Sequence, residues 1–295
     1  MPPFDPKTHA GALAVPADLG TLVVTGSDRL TWLNGLVTCD LARLAPGGGV
    51  YGLTTSKVGR ILADVVVVVA DDCLWVGVPR DRAVSLRAAL DAYLVMEDAE
   101  LADASETHAW ALLHGADAVA CARSAGAAWA PIDFTGLGGA ALVAPLSELD
   151  AAISRSGATR GDAAAWDVLR LERGVPRFGV DFDEKTYPQE ASLERRAVSF
   201  QKGCYLGQEV VCRLEMRGHV HRKLVPIVLD GAPPAIGASV VVAGEAVGAV
   251  TSSARSDRLG RSVGLAMIKH AHAAFGGKVE IDGRVAEIVA LPLGG

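Results

Sequence analysis

A chain of 295 residues has room for two or three domains, and a composition 50% hydrophobic and 21% charged is that of a globular protein, not a disordered one. A net charge of −6 argues against general nucleic-acid binding, and the longest apolar run, Val65 to Ala70, is far too short to span a membrane. Met1 to Asp5 lacks a basic region followed by an apolar stretch, so no signal peptide is expected; the five cysteines form no C-x-x-C pair and point to free thiols in a reducing, cytoplasmic compartment.

In chain order, Thr21–Val24 reads as a strand, and Ser27 or Asp28 caps a helix to about Val37 with apolar residues at 30, 33 and 37. Gly47-Gly48-Gly49 is a flexible turn with no helix start behind it, which weakens a phosphate-loop reading. Val50–Thr55 and Ile61–Ala70 are strands, the second with five consecutive valines that imply burial on both faces. Asp71-Asp72 turns the chain into a partner strand, Cys73–Val78, and a helix follows from about Asp81 to Leu94. His108–Leu113 and Ala140–Ala144 read as strands and Ala116–Arg123 as a short helix; Pro145 opens a helix to about Ser156. Asp162–Arg173 is an alanine-rich helix with Asp162 as cap and Gly174 as stop. Without a regular strand–helix period, the class is α+β. After His221 the texture changes to six short strands separated by Pro, Gly and Asp-Gly turns, the pattern of a small barrel or sandwich.

One stretch, Lys202-Gly203-Cys204-Tyr205-Leu206-Gly207-Gln208-Glu209, carries a cation, a thiol, a phenol, an amide and a carboxylate on a turn that two glycines allow to be tight. Val198–Phe200 before it reads as strand-like, and Val210–Cys212 after it as a buried apolar continuation. From Ser192 to Lys223 seven basic residues stand against three acids, a basic island that suggests an anionic ligand, the lesser alternative being a solvated charged face. Cys204 beside Lys202 is a candidate thiolate. His219 and His221 alternate with no third ligand nearby and read as surface residues.

Four segments together resemble the YgfZ family of folate-binding proteins, relatives of the glycine cleavage T-protein (an aminomethyltransferase). They are Trp32 to Leu41, Gly59 to Asp64, Leu169 to Pro176 and the turn 202–209, whose K-G-C-Y-x-G-Q-E pattern is the most specific. The resemblance implies a three-lobed α+β ring: a discontinuous first lobe of residues 1–50 with 160–220, an inserted ferredoxin-like lobe at 51–159, and a C-terminal β-barrel at 221–295. It also implies binding of tetrahydrofolate or a derivative in a central channel. The role implied is that of an accessory protein in iron–sulfur cluster assembly or repair, whose partners are client iron–sulfur enzymes or assembly factors.

Residue by residue, Glu172 matches the glutamate that grips the pterin in T-proteins, a task a carboxylate suits because it accepts two hydrogen bonds from an aminopyrimidine edge. Asp64 matches one member of an Asp-Asp pair that serves aminomethyl transfer. Ala63-Asp64 stands in its place here and Arg60 replaces a glycine, which argues for an accessory factor over a robust enzyme. Cys204 is the signature cysteine, a nucleophile, redox group or transient ligand for iron or sulfur, or else structural. Lys202, Tyr205 and Gln208 shape the turn or touch the ligand; Arg217 and Arg222 are candidates for the glutamyl carboxylates. Two other functions fit the same residues: a folate-dependent aminomethyl or one-carbon transferase, with Asp64 positioning or deprotonating an amine, and a non-catalytic docking scaffold with a basic face.

Overall fold

The computed structural model describes residues 11–218 and 220–290; His219, Leu291 and the first ten residues, on which some of these expectations fall, lie outside them. The chain opens with β1 (Leu13–Ala17) and β2 (Leu19–Thr25), separated only by Asp18, and the two strands enter different sheets. The segment from β2 goes on through α1 (Arg29–Asn34), β3 (Gly49–Thr55), β4 (Ile61–Val69), β5 (Leu74–Pro79), α2 (Ala83–Asp91) and β6 (Glu100–Asp103). Its strands form a five-stranded sheet in the order β3-β4-β5-β2-β6. Then come β7 (His108–His114), α3 (Ala118–Ser124), β8 (Ala128–Pro131), β9 (Gly139–Pro145), α4 (Leu149–Ser156) and β10 (Thr159–Arg160). With β1 they make a second sheet, β10-β1-β7-β9-β8.

The valine run of β4 joins the two sheets, as its continuous apolarity predicts. Val65, Val67 and Val69 pack with Trp32 and Leu33 of α1 and Leu86 and Leu90 of α2, while Val66 and Val68 pack with Trp110, Leu112 and Val143 of the second sheet. Alternation with period two sends successive side chains to opposite faces, so a strand sandwiched between two cores must be apolar throughout. A domain division at residue 50 is not where the sheets divide. Residues 19–25 lie between β5 and β6 in the same sheet as residues 49–103, because β2 pairs along its length with β5 from Leu19↔Pro79 to Val24↔Leu74.

The chain continues through α5 (Ala163–Glu172), α6 (Glu194–Ala197) and α7 (Gln208–Arg217) into the barrel. α5 is capped as expected: Asp162 accepts from the Ala165 N–H, and Gly174 beyond the end takes a positive φ of 61°. The barrel is closed, in the order β11-β14-β13-β12-β15-β16. Its strands are β11 (Arg222–Leu229), β12 (Ser239–Val242), β13 (Glu245–Ser256), β14 (Arg261–Lys269), β15 (Lys278–Ile281) and β16 (Arg284–Ile288). Closure pairs every strand on both sides and removes the exposed edges.

Two local expectations fail, and a third segment takes a form the sequence did not specify. Pro145 ends β9 instead of opening a helix, and α4 begins at Leu149. Val198–Phe200 is not a strand; it follows the short helix α6. Val210–Cys212 is the interior of α7, which starts directly off Gly207. That glycine has φ 82°, and a Cβ there would sit 2.3 Å from the Ser56 carbonyl, so both conformation and space require glycine.

Candidate functional site

A cavity of about 540 Å³ opens where the two sheets meet α5 and the loop after it, a volume in the range of small-molecule sites. Tyr51, Asp64, Phe134, Trp166, Arg170 and Phe178 line it, with Arg80 and Arg177 also on its wall. The strand register of β3 and β4 sets the carboxylate. Asp64 lies opposite Leu53, and Tyr51, two residues along on the same face, reaches diagonally to donate its hydroxyl to Asp64 Oδ2 at 3.1 Å. Burial pushes the Asp64 pKa up to about 6, against the opposing pull of the Tyr51 hydrogen bond. A carboxyl with that value changes charge close to neutral pH, as a general base requires.

The far wall is held by a buried polar network. Arg170 donates from Nη1 to Asp181 Oδ2 (2.9 Å), from Nε to Asp167 Oδ1 (2.6 Å) and from Nη2 to Ser252 Oγ (3.0 Å). Asp181 also accepts the Arg177 backbone N–H at 2.9 Å and the hydroxyls of Thr251 and Ser252, each at 2.6 Å. One carboxylate thus ties α5, the loop 175–180 and barrel strand β13 together.

Of the residues expected from sequence, the structure brings only Asp64 to this cavity. Glu172 is 4% exposed and spent elsewhere: Arg258 Nε and Nη2 both lie 2.9 Å from its Oε2, and the Ser256 hydroxyl donates to Oε1. Helix geometry explains the miss. Trp166 and Arg170 are four apart and share the stripe that lines the cavity, whereas Glu172 lies about 200° further round from Arg170, toward the barrel. Glu172 therefore ties α5 to the barrel and does not line this cavity.

The turn 202–209 is a structural keystone with one exposed reactive group. Lys202 Nζ donates to three backbone carbonyls, those of Asn34 (2.6 Å), Val37 (2.9 Å) and Cys39 (2.6 Å), which uses all its hydrogens and leaves none for a ligand. Burial lowers its pKa to about 8. The same bonds help end α1 at Asn34, short of the expected Val37. Lys202→Met should lower stability by about 2–4 kcal/mol, read as a lower urea midpoint with native circular dichroism retained, because three carbonyls lose a charged donor together.

Tyr205 is 6% exposed, with its ring 5.5 Å from Lys202 Nζ, and burial pushes its phenol up; Gln208 opens α7, its backbone N–H donating to the Tyr205 carbonyl. Neither faces the cavity. Arg222 is taken by Glu190 (Nε to Oε1, 3.3 Å), and Arg217 ends α7 in solvent. Four of the seven basic residues of the island are thus held, Lys223 by Glu194 at 3.7 Å and Arg196 by the carbonyls of Gly174 and Arg173, while Arg195, Arg213 and Arg217 are exposed. Cys204 alone among the five cysteines is classed as exposed, and its thiol is free.

Sequence reasoning passed over Tyr51, Phe134, Trp166, Arg170 and Phe178. Trp166 and Arg170 carried a signal, their i, i+4 spacing on the helix that ends at Glu172. Phe134 sits in a loop between strands and carried none.

The fold defined here is that of the glycine cleavage T-proteins. The GCVT N-terminal domain model matches residues 8–133, and the glycine cleavage T-protein C-terminal barrel domain matches residues 222–293. The chain is similar to the aminomethyltransferase of Geobacillus kaustophilus, 28% identical over 97% of this chain and 87% of that protein. The aminomethyltransferase of Streptomyces coelicolor is 29% identical over the same shares. The solved glycine cleavage system aminomethyltransferase T of Bartonella henselae superposes with a TM-score of 0.82 at 20% identity, covering 97% of this chain and 87% of that one.

Proposed function

We propose that the protein binds a reduced folate, tetrahydrofolate or a one-carbon derivative, in the Asp64 cavity and acts there as an aminomethyl or one-carbon transferase. The observation that carries this is Asp64 itself, a carboxyl with a pKa of about 6 held by Tyr51 on the wall of a ligand-sized cavity. The similarity to aminomethyltransferases over nearly the whole chain supports it. Tetrahydrofolate supplies the nitrogen that accepts the one-carbon unit. The folate nitrogen bonds to the methylene carbon of the aminomethyl donor as that carbon's bond to its amine breaks and ammonia leaves; Asp64 takes the proton the folate nitrogen gives up, and the aromatic walls exclude water around it. Arg80 and Arg177 line the cavity 40% and 48% exposed, paired with Asp18 at 3.3 Å and Asp167 at 3.4 Å, and are the cations that would exchange those partners for the glutamyl carboxylate. Calorimetry with 5-formyltetrahydrofolate, and formaldehyde release or uptake with an aminomethyl donor, test the reading. A protein that binds the folate and turns over the donor upholds it; a folded protein that binds no reduced folate ends it.

A second reading, the accessory role in iron–sulfur cluster maintenance that the YgfZ resemblance implies, is favoured by Cys204. The turn around it is fixed by Lys202, Tyr205 and Gly207, yet the thiol itself is presented to solvent. Iodoacetamide should alkylate Cys204 first by mass spectrometry, and Cys39, 3% exposed and pushed up to about 12 by burial, far later. The two readings separate in cells. Cys204→Ser lowers the activity of client iron–sulfur enzymes under the second and leaves them unchanged under the first.

A further inference from the structure

We propose that Trp166, held flat by His114, is the platform on which a planar ring of the bound ligand stacks; this rests on the folate reading above. His114 is the last residue of β7, on the same face as Trp110 and Leu112, and is 0% exposed. Neither of its ring nitrogens has a hydrogen-bond partner among the described residues. A buried imidazole without partners is unfavourable, because it gives up water at both nitrogens and gains nothing polar in return. Burial pushes its pKa down to about 3, so the ring is neutral at any physiological pH. It acts as a small, uncharged aromatic plate.

What that plate touches gives it a purpose. The His114 and Trp166 rings lie parallel, 4.4 Å between centroids and 7° between planes, and Phe134 meets His114 edge-on at 6.3 Å. Leu13, Val15 and Leu169 pack against the indole as well. Trp166 is half-buried and lines the cavity on the α5 stripe it shares with Arg170. His114 covers one indole face while Trp166 borders the cavity, and in this scheme the ligand ring lies on the indole from the cavity side. A fixed aromatic plane beside an ionisable carboxylate is a setting for a flat heteroaromatic molecule. Stacking orients the ring and Asp64 reads its polar edge. Trp166 is the contact residue in this scheme and His114 the positioning residue.

Calorimetry with 5-formyltetrahydrofolate on the full chain tests it, with circular dichroism as the check on folding. Trp166→Ala should weaken binding on the order of tenfold, and Trp166→Phe should stay within about threefold of the unmodified protein. His114→Phe, which keeps a flat partner and drops both nitrogens, should bind like the unmodified protein. His114→Ala should weaken binding roughly three- to tenfold, because the indole loses its backing. Ligand-induced quenching of tryptophan fluorescence should fall in Trp166→Phe even though four tryptophans remain. Competition by p-aminobenzoylglutamate against pterin-6-carboxylate tells which ring lies on the indole. Folded Trp166→Ala that binds like the unmodified protein, with unchanged quenching in Trp166→Phe, overturns the platform and leaves the folate reading standing. Absence of reduced-folate binding by the unmodified chain removes both.

Discussion

Asp64→Asn should abolish turnover and at the same time make the protein more stable above pH 6. The catalytic half follows from the site: asparagine accepts no proton, and loss of a general base lowers kcat on the order of 10²- to 10⁴-fold. In the unmodified protein kcat/KM should rise with pH as Asp64 ionises around its pKa of about 6. The stability half follows from the direction of the shift. Burial raises the Asp64 pKa in the folded state, so its protonated form is the one the fold prefers. Stability from this group is complete below the unfolded carboxylate pKa near 3.8 and is gone once pH passes about 6. Asparagine is neutral throughout and escapes that loss. At pH 8 the variant should gain about 1–3 kcal/mol, seen as a higher urea midpoint, and the gain should vanish near pH 4. Equal midpoints for the two proteins at pH 8 would show that Asp64 is not strained in its ionised form.

The second large effect belongs to Asp181. Its side chain is 0% exposed and is the shared acceptor for Arg170, the Arg177 N–H, Thr251 and Ser252. Asp181→Ala leaves the Arg170 guanidinium, 3% exposed, without its fully buried counter-ion. Removing one partner of a buried pair costs about 3–5 kcal/mol, and the thermal midpoint should fall on the order of 10 °C. Arg170→Met combined with Asp181→Ala should recover part of the loss, because no buried charge is then stranded. A single variant that melts within a degree of the unmodified protein would refute the network as a structural tie. The same variant should weaken folate binding, since loop 175–180 carries Phe178 and hangs on this carboxylate through the Arg177 N–H.

Elements whose information is local were legible in the sequence. The barrel strands announced themselves by alternation and turn residues. Asp162 and Gly174 marked both ends of α5, and the valine run told that β4 is covered on both faces. Asp64 was found through motif resemblance, and its strand then placed it. What failed depended on contacts far apart in the chain. Another segment of the same resemblance offered Glu172 as a ligand residue, but the rotation of α5 turns it to Arg258 and Ser256, eighty-odd residues on. Lys202 was read as shaping the turn or touching a ligand, and what tells the two apart, its carbonyl partners, lies more than 160 residues away. Val210–Cys212 read only as an apolar continuation of the turn; that it is helical follows from Gly207, whose positive φ starts α7 there.

The single residue between β1 and β2 has a consequence for how the protein is made. As the chain leaves the ribosome, β2 finds β5 and β6 by residue 103, whereas β1 waits for β7, which ends at His114, and for β10 at 159–160. For that interval a finished sheet trails a bare, apolar strand at its beginning. The cavity, which needs both sheets and α5, takes shape only after Glu172 has emerged. Slow steps in maturation and any need for a chaperone should therefore concentrate at β1, far from the chemistry.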